Sequence, residues 1–211
     1  LPLLLGYEFL ALLVSREDIT QVRNSASILL KTILRMFGIH SPFWLGVVLV
    51  AVITLAWFLR ERGIAPLRWP YLLAIIAESA FYSATLGYVV SFFMHAMQLA
   101  ISSHVEKEVG IMLALGAGVY EELVFRAFLF STSGFTLAHV LKMNPWIAYP
   151  VAAVISSIVF SWFHYLDAAT FTLSSALFRF VAGLLFCILY KLRGIGVAAW
   201  THALYDLFVL F

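Results

Sequence analysis

Glu121, Glu122 and Arg126 fall within six residues of one another in Gly118-Val119-Tyr120-Glu121-Glu122-Leu123-Val124-Phe125-Arg126, inside an otherwise apolar run over 109–130. That run is long enough to span a bilayer. One ionisable group near the centre of a membrane helix costs roughly 2.5–3.5 kcal/mol even on lenient insertion scales, so three together demand a reason. Two later apolar segments carry matching pieces, His164 four residues after Phe160 and Asp206 four residues after His202. A lone histidine in a membrane helix is more often a bonded structural residue than a catalyst, but two such helices and an acid pair go beyond that. A carboxylate and an imidazole together can take a proton from water, and a second imidazole with a hydrogen-bonding neighbour can stabilise an oxyanion. These are the parts needed to hydrolyse an amide.

Helical spacing sorts the acids. Glu122 and Arg126 are four apart with the acid on the N-terminal side, so they are expected to pair on one face, in a role that can be purely structural. Glu121 is rotated about 100° from Glu122 and about 140° from Arg126, which leaves it to find partners on other helices.

These residues must be held by membrane helices. The 211-residue chain is 64% apolar and 11% charged, whereas a soluble domain carries about a quarter charged residues. The expected fold is all-α, a polytopic membrane bundle of seven to eight transmembrane helices with an interfacial amphipathic helix, in one domain over 1–211. A net charge of +2 offers nothing to nucleic acid. The single cysteine, Cys187, excludes an intrachain disulfide and is expected to be core.

In chain order, 1–14 lacks a basic n-region and a small-x-small cleavage site and is expected to be the end of a first membrane helix. Residues 15–37 have apolar positions at helical spacing, with Lys31 and Arg35 on the polar face, as in an interfacial helix. Crossings are then expected at 43–59, 70–94, 109–130, 146–165, 171–190 and 195–211, with the turn Lys191-Leu192-Arg193-Gly194 between the last two. Ser131-Thr132-Ser133-Gly134 is expected to cover the end of the charged helix, and His95, His104, His139 and Lys142 to lie in connections. Glu78, without a companion in sequence, is expected to bond to a neighbouring helix or to face water. Basic residues do not fix the orientation. With seven crossings they divide almost evenly; with eight, the side of Arg60, Arg62, Arg68, Lys142, Lys191 and Arg193 is cytoplasmic.

The ordered trio Glu121-Glu122-x-x-x-Arg126, Phe160-x-x-x-His164 and His202-x-x-x-Asp206, each on an apolar helix, resembles the motifs of the CAAX prenyl protease and bacteriocin-processing (CPBP/Abi) family of intramembrane glutamic endopeptidases, which includes type II CAAX prenyl endopeptidase. The segment Ala182-Gly183-Leu184-Leu185-Phe186 to Gly194 also resembles the family, and the likeness covers about 118–208. The resemblance implies an endopeptidase without metal or other cofactor. In it Glu121 and His164 would activate water, His202 and Asp206 would bind the oxyanion, and Glu122, Arg126 and Phe160 would order the cluster. Its partners would be the bilayer and a membrane-associated protein or peptide, lipidated or with a hydrophobic C-terminal tail, at the cell membrane. Asp206 departs from the Asn of the best-known members. An ionised Asp only accepts hydrogen bonds, so it must be protonated to donate, or act through His202.

Other chemistries stay open on the residues. Glu121, His164 and His202 could ligate zinc, although no His-Glu-x-x-His pattern is present. Glu78, Glu121, Glu122 and His164 could form a proton relay in a transporter, although no inverted repeat is visible. A silent scaffold is a fourth reading. Ser156, Ser157 and Ser161 lack a Gly-x-Ser setting and are expected to bond to backbone or a neighbouring helix. Trp162, Tyr165, Trp200 and Tyr205 are expected to pack or to anchor at the interface. A depth count at about 1.5 Å per residue puts Glu121 about 18 Å and His202 about 20 Å from one membrane face, with His164 nearer that face by roughly 10 Å.

Overall fold

Apolar side chains cover the outside of this protein, while polar ones collect inside. Phe9, Tyr71, Phe81, Tyr88, Trp146, Trp162 and Phe208 are exposed, whereas Ser79, Ser83, Glu121, Glu122, Arg126, Ser156, Ser157, Ser161, Thr201 and His202 are buried. That distribution suits a hydrocarbon solvent, in which polar groups must find each other in the interior.

The computed structural model describes residues 2–13, 51, 69–96, 107–165 and 171–210. These are almost wholly helical, with no strand among the described residues. The helices are α1 (Pro2–Leu13), α2 (Trp69–Ala96), α3 (107–140), α4 (Pro145–Phe163) and α5 (Leu173–Leu210). Among the described residues, three stretches are long and apolar enough to cross a membrane: Trp69–Val90 in α2, the whole of α4 and the whole of α5. The interfacial helix expected at 15–37, the crossing at 43–59 and the His104 connection lie outside the described residues, so the count of seven to eight crossings is not established. His95 belongs to the last turn of α2 rather than to a connection.

The charged helix departs from expectation in two ways. It does not stop at the serine-rich stretch but continues from Lys107 to Val140. Ser131 and Thr132 donate back to the carbonyls of Arg126 and Phe128, bonds that sustain the helix and satisfy the hydroxyls within apolar surroundings. His139 therefore sits in the last helical turn and stacks on Phe135. In addition, Ala117–Phe130 is π-helical, with wider turns than the α-helix from which the angles between Glu121, Glu122 and Arg126 were estimated. Such i→i+5 turns are rare and recur at functional sites.

Asn144 starts α4 by accepting the Trp146 N–H, with Pro145 in the first turn, where a missing N–H costs nothing. Helix α5 is broken at Gly194, whose φ of 83° and ψ of 176° suit glycine. Phe186 and His202 show how sharp the break is. They are sixteen residues apart, about 24 Å along a straight helix, yet their rings stack at 4.6 Å. The chain therefore folds back at Gly194 into two limbs, as expected for the Lys191–Gly194 turn. Arg193 on this turn makes a two-bonded ion pair with Glu78 of α2, at 2.5 and 2.8 Å, which gives Glu78 its neighbouring-helix partner.

Packing is close where α3 meets the second limb of α5. A Cβ on Gly118 would stand 2.4 Å from the Ala199 carbonyl oxygen and 2.8 Å from the Ala203 Cβ, so only glycine permits this approach. Leu3, Leu4 and Tyr7 of α1 pack with Met112, Val119, Tyr120, Ala199 and Ala203 around the contact. Cys187 is buried beside Phe130 and Ala152, a core residue as expected.

Candidate active site

The close approach at Gly118 carries Glu121 and Glu122, one turn further on, up to His202 on the facing limb. Glu122 is fully buried and bonds in two directions. Its Oε1 lies 3.1 Å from Nη1 of Arg126, as the four-residue spacing predicts, and 2.7 Å from Nδ1 of His202. Since a carboxylate oxygen accepts, His202 Nδ1–H donates, and the ring turns its Nε2 towards Glu121 and Asp206.

Arg126 is fully buried. Its guanidinium carbon lies over the rings of Phe160 at 4.3 Å and Phe186 at 5.1 Å. The ion pair with Glu122 is close but lacks hydrogen-bonding angles, and no guanidinium nitrogen of Arg126 has a hydrogen-bond partner among the described residues. The two aromatic faces add cation–π attraction to that ion pair, at about 0.5–2 kcal/mol for each such contact. Phe160 also meets the His164 ring edge-on at 4.8 Å.

His164 caps the C-terminus of α4, and its Nδ1 lies 2.9 Å from the Phe160 carbonyl oxygen. A carbonyl only accepts, so Nδ1 carries the proton and Nε2 is the free nitrogen.

The groups converge on Glu121. Its Oε2 lies 3.8 Å from Nε2 of His164 and 3.8 Å from Nε2 of His202, while Asp206 Oδ2 stands 3.7 Å from that same His202 nitrogen. All four residues singled out as catalytic thus surround one small volume, with contributions from three helices. The depth mismatch expected for His164 does not survive. Helix α3 extends ten residues past Phe130 and α4 ends at Phe163, so the assumed span ends were not at common depths.

The remaining polar residues brace this arrangement. Ser156 Oγ donates to the Phe125 carbonyl at 2.7 Å, Ser157 to Ala153 and Ser161 to Ala176, as expected of hydroxyls in membrane helices. Tyr120 O–H donates to Glu8 of α1 at 2.8 Å. Tyr205 is buried against Leu86 and Phe186, and Trp162 faces outward. Among the described residues, no set of three His, Cys, Asp or Glu is arranged to hold a metal ion. Helical spacing gives no sign of the Glu122–His202 bond, the stacking role of Phe186 or the Glu8–Tyr120 contact. Each links residues far apart in sequence, for which helical periodicity carries no signal.

Residues 108–208 match the family model of the type II CAAX prenyl endopeptidase Rce1-like proteins, a range that includes every residue of the three motifs. Neither the curated proteins nor the solved structures yield a match. The match and the converged motifs agree: residues 108–208, just under half of the chain, are similar to the Rce1-like type II CAAX prenyl endopeptidases.

Proposed function

We propose that this protein is an intramembrane endopeptidase that hydrolyses a peptide bond of a membrane-associated protein or peptide, with Glu121 as the residue that activates water. The observation that carries this reading is the placement of Glu121 Oε2 at 3.8 Å from the Nε2 atoms of both His164 and His202. Those distances are too long for direct hydrogen bonds and suit groups that act on a common third molecule. Glu121, with His164 alongside, takes a proton from water as the water oxygen attacks the scissile carbonyl carbon. His202 donates from Nε2 to the oxyanion. Because Nδ1–H is committed to Glu122, that donation uses the doubly protonated ring. Asp206 faces the same nitrogen and holds this form. Collapse of the tetrahedral species breaks the C–N bond, and the proton held by Glu121 passes to the leaving amine. A carboxylic acid and an amine result.

Glu122, Arg126, Phe160 and Phe186 position these groups without touching the substrate. The family description points to a prenylated peptide with a Cys-aliphatic-aliphatic-X end as the first substrate to try, in a multi-pass protein of the cell membrane whose catalytic core spans about 118–208. The test is cleavage of such a peptide by purified protein in detergent. Glu121→Gln should lower turnover by about 10²–10⁴-fold, the usual contribution of a positioned general base, while leaving thermal unfolding unchanged. Undiminished turnover by that variant would overturn the role of Glu121.

A further inference from the structure

His164 stands at the C-cap of α4, whereas Glu121 and His202 lie inside their helices. Helix ends fray, so a side chain there keeps a fixed distance only if its turn is tied to something outside the helix. The bond from His164 Nδ1 to the Phe160 carbonyl sets the ring against α4 itself, but not the end of α4 against the rest of the site. Two ties to the first limb of α5 bracket His164 and do that work. Three residues before it, Ser161 Oγ donates to the Ala176 carbonyl at 2.8 Å. One residue after it, the Tyr165 hydroxyl accepts from Arg179 Nη1 at 3.0 Å.

The second tie is braced on both sides. Arg179 Nη1 also lies 2.5 Å from Ser175 Oγ, one turn back on its own helix, and the guanidinium carbon is 5.1 Å from the centre of the Tyr165 ring. That ring in turn meets Phe171 edge-on at 5.0 Å. Seven residues beyond Arg179, about 10 Å along the same limb, Phe186 stacks on His202 at 4.6 Å. The first limb of α5 carries none of Glu121, His164, His202 and Asp206, yet it grips the turn of one histidine and the ring of the other. The distance between those grips sets the gap between the two imidazoles, in which Glu121 Oε2 stands 3.8 Å from each Nε2.

We propose that Arg179 and Tyr165 are positioning residues, whose mutual hydrogen bond holds His164 at its working distance from Glu121. Neither touches the substrate, and Arg179 acts only through the Tyr165 hydroxyl. Charge-assisted hydrogen bonds of this kind are the stronger ones, which suits a tether at a helix end. This inference rests on the peptidase reading, but its test is separable from it.

The test uses the full chain in detergent with two readouts, the NMR signals of ring-labelled histidines and cleavage of a prenylated peptide with a Cys-aliphatic-aliphatic-X end. The His164 and His202 signals are identified by their loss in His164→Ala and His202→Ala. Tyr165→Phe removes only the hydroxyl, Arg179→Met removes the donors, and Arg179→Lys keeps a charged donor. Tyr165→Phe and Arg179→Met should each shift or split the His164 signal, leave the His202 signal in place and leave thermal unfolding unchanged. Each should lower kcat by about 10–100-fold at constant KM, the scale of a misplacement of up to about 1 Å. The double variant should be no worse than either single one, because both remove the same bond, and Arg179→Lys should recover part of the loss. An unchanged His164 signal in Tyr165→Phe overturns the proposal. So do additive losses in the double variant, or a shift of both histidine signals together with a lower unfolding temperature, which marks general loosening. If Glu121-dependent cleavage is observed and both variants turn over like wild type, the peptidase reading stands and this one falls. If the His164 signal alone responds but no cleavage occurs, the positioning stands and the peptidase reading falls.

Discussion

His202 Nδ1 lies 2.7 Å from Oε1 of Glu122, a residue eighty positions earlier in the chain, and that same oxygen is 3.1 Å from Arg126 Nη1. One buried carboxylate oxygen thus joins a cation to the proposed oxyanion donor. In the proposed mechanism the two adjacent glutamates have different work, Glu122 orienting and Glu121 reacting.

This division predicts opposite behaviour for isosteric changes. Glu121→Gln should fold normally and lose turnover. Glu122→Gln can still accept from His202 but leaves Arg126 without a counter-charge, and breaking a buried pair costs about 3–5 kcal/mol. Thermal unfolding in detergent should therefore fall sharply for Glu122→Gln and stay level for Glu121→Gln. Equal stability of the two variants would remove the structural role assigned to Glu122.

Arg126→Ala should be destabilising by a similar route, since it strands Glu122 and removes the cation from between Phe160 and Phe186. A loss of about 3–5 kcal/mol is expected. An Arg126→Ala protein with wild-type thermal stability and no turnover would make Arg126 a direct participant in the chemistry.

Gly118→Ala tests the helix contact that brings the motifs together. The new methyl would overlap the Ala199 carbonyl oxygen at 2.4 Å, and backbone cannot yield as a side chain can. Overpacking of this kind costs about 1–3 kcal/mol. Because the displaced limb carries His202, activity should fall by more than stability alone explains, a comparison made by assaying at a temperature where both proteins are fully folded.

Asp206 stands 3.7 Å from His202 Nε2, too far for a direct hydrogen bond and close enough to act with it on a shared group. Asp206→Asn supplies an amide donor at that position and should keep most of the turnover. Asp206→Ala removes the group that holds the doubly protonated His202 ring and should lose on the order of 10²-fold, as when an oxyanion donor is weakened. Equal inactivity of the two variants would make Asp206 a base or ligand in its own right.

A chelator should leave turnover unchanged, and metal analysis should find no stoichiometric zinc. Activity lost on chelation and restored by zinc alone would transfer the assignment to a zinc peptidase built on Glu121, His164 and His202.

The sequence by itself determined the solvent of this protein, because no soluble domain is 64% apolar and 11% charged. It also determined the pairs made within one helix. Glu122 with Arg126 and His202 with Asp206 follow from a repeat of about four residues, and helical geometry turns such spacing directly into proximity. The fold-back between the last two limbs was legible too, since Gly194 has no Cβ to oppose a positive φ. Only the tertiary structure decided contacts between helices. The choice of Glu122 rather than Asp206 to orient His202, the rings around Arg126, the pairing of Glu78 with Arg193 and the approach of Glu121 to both histidines depend on which faces pack together, and at what height. Periodicity states which residues share a face, but it says nothing of the partner that face meets. That partner is selected by close packing at points such as Gly118, where a single missing Cβ lets two backbones touch.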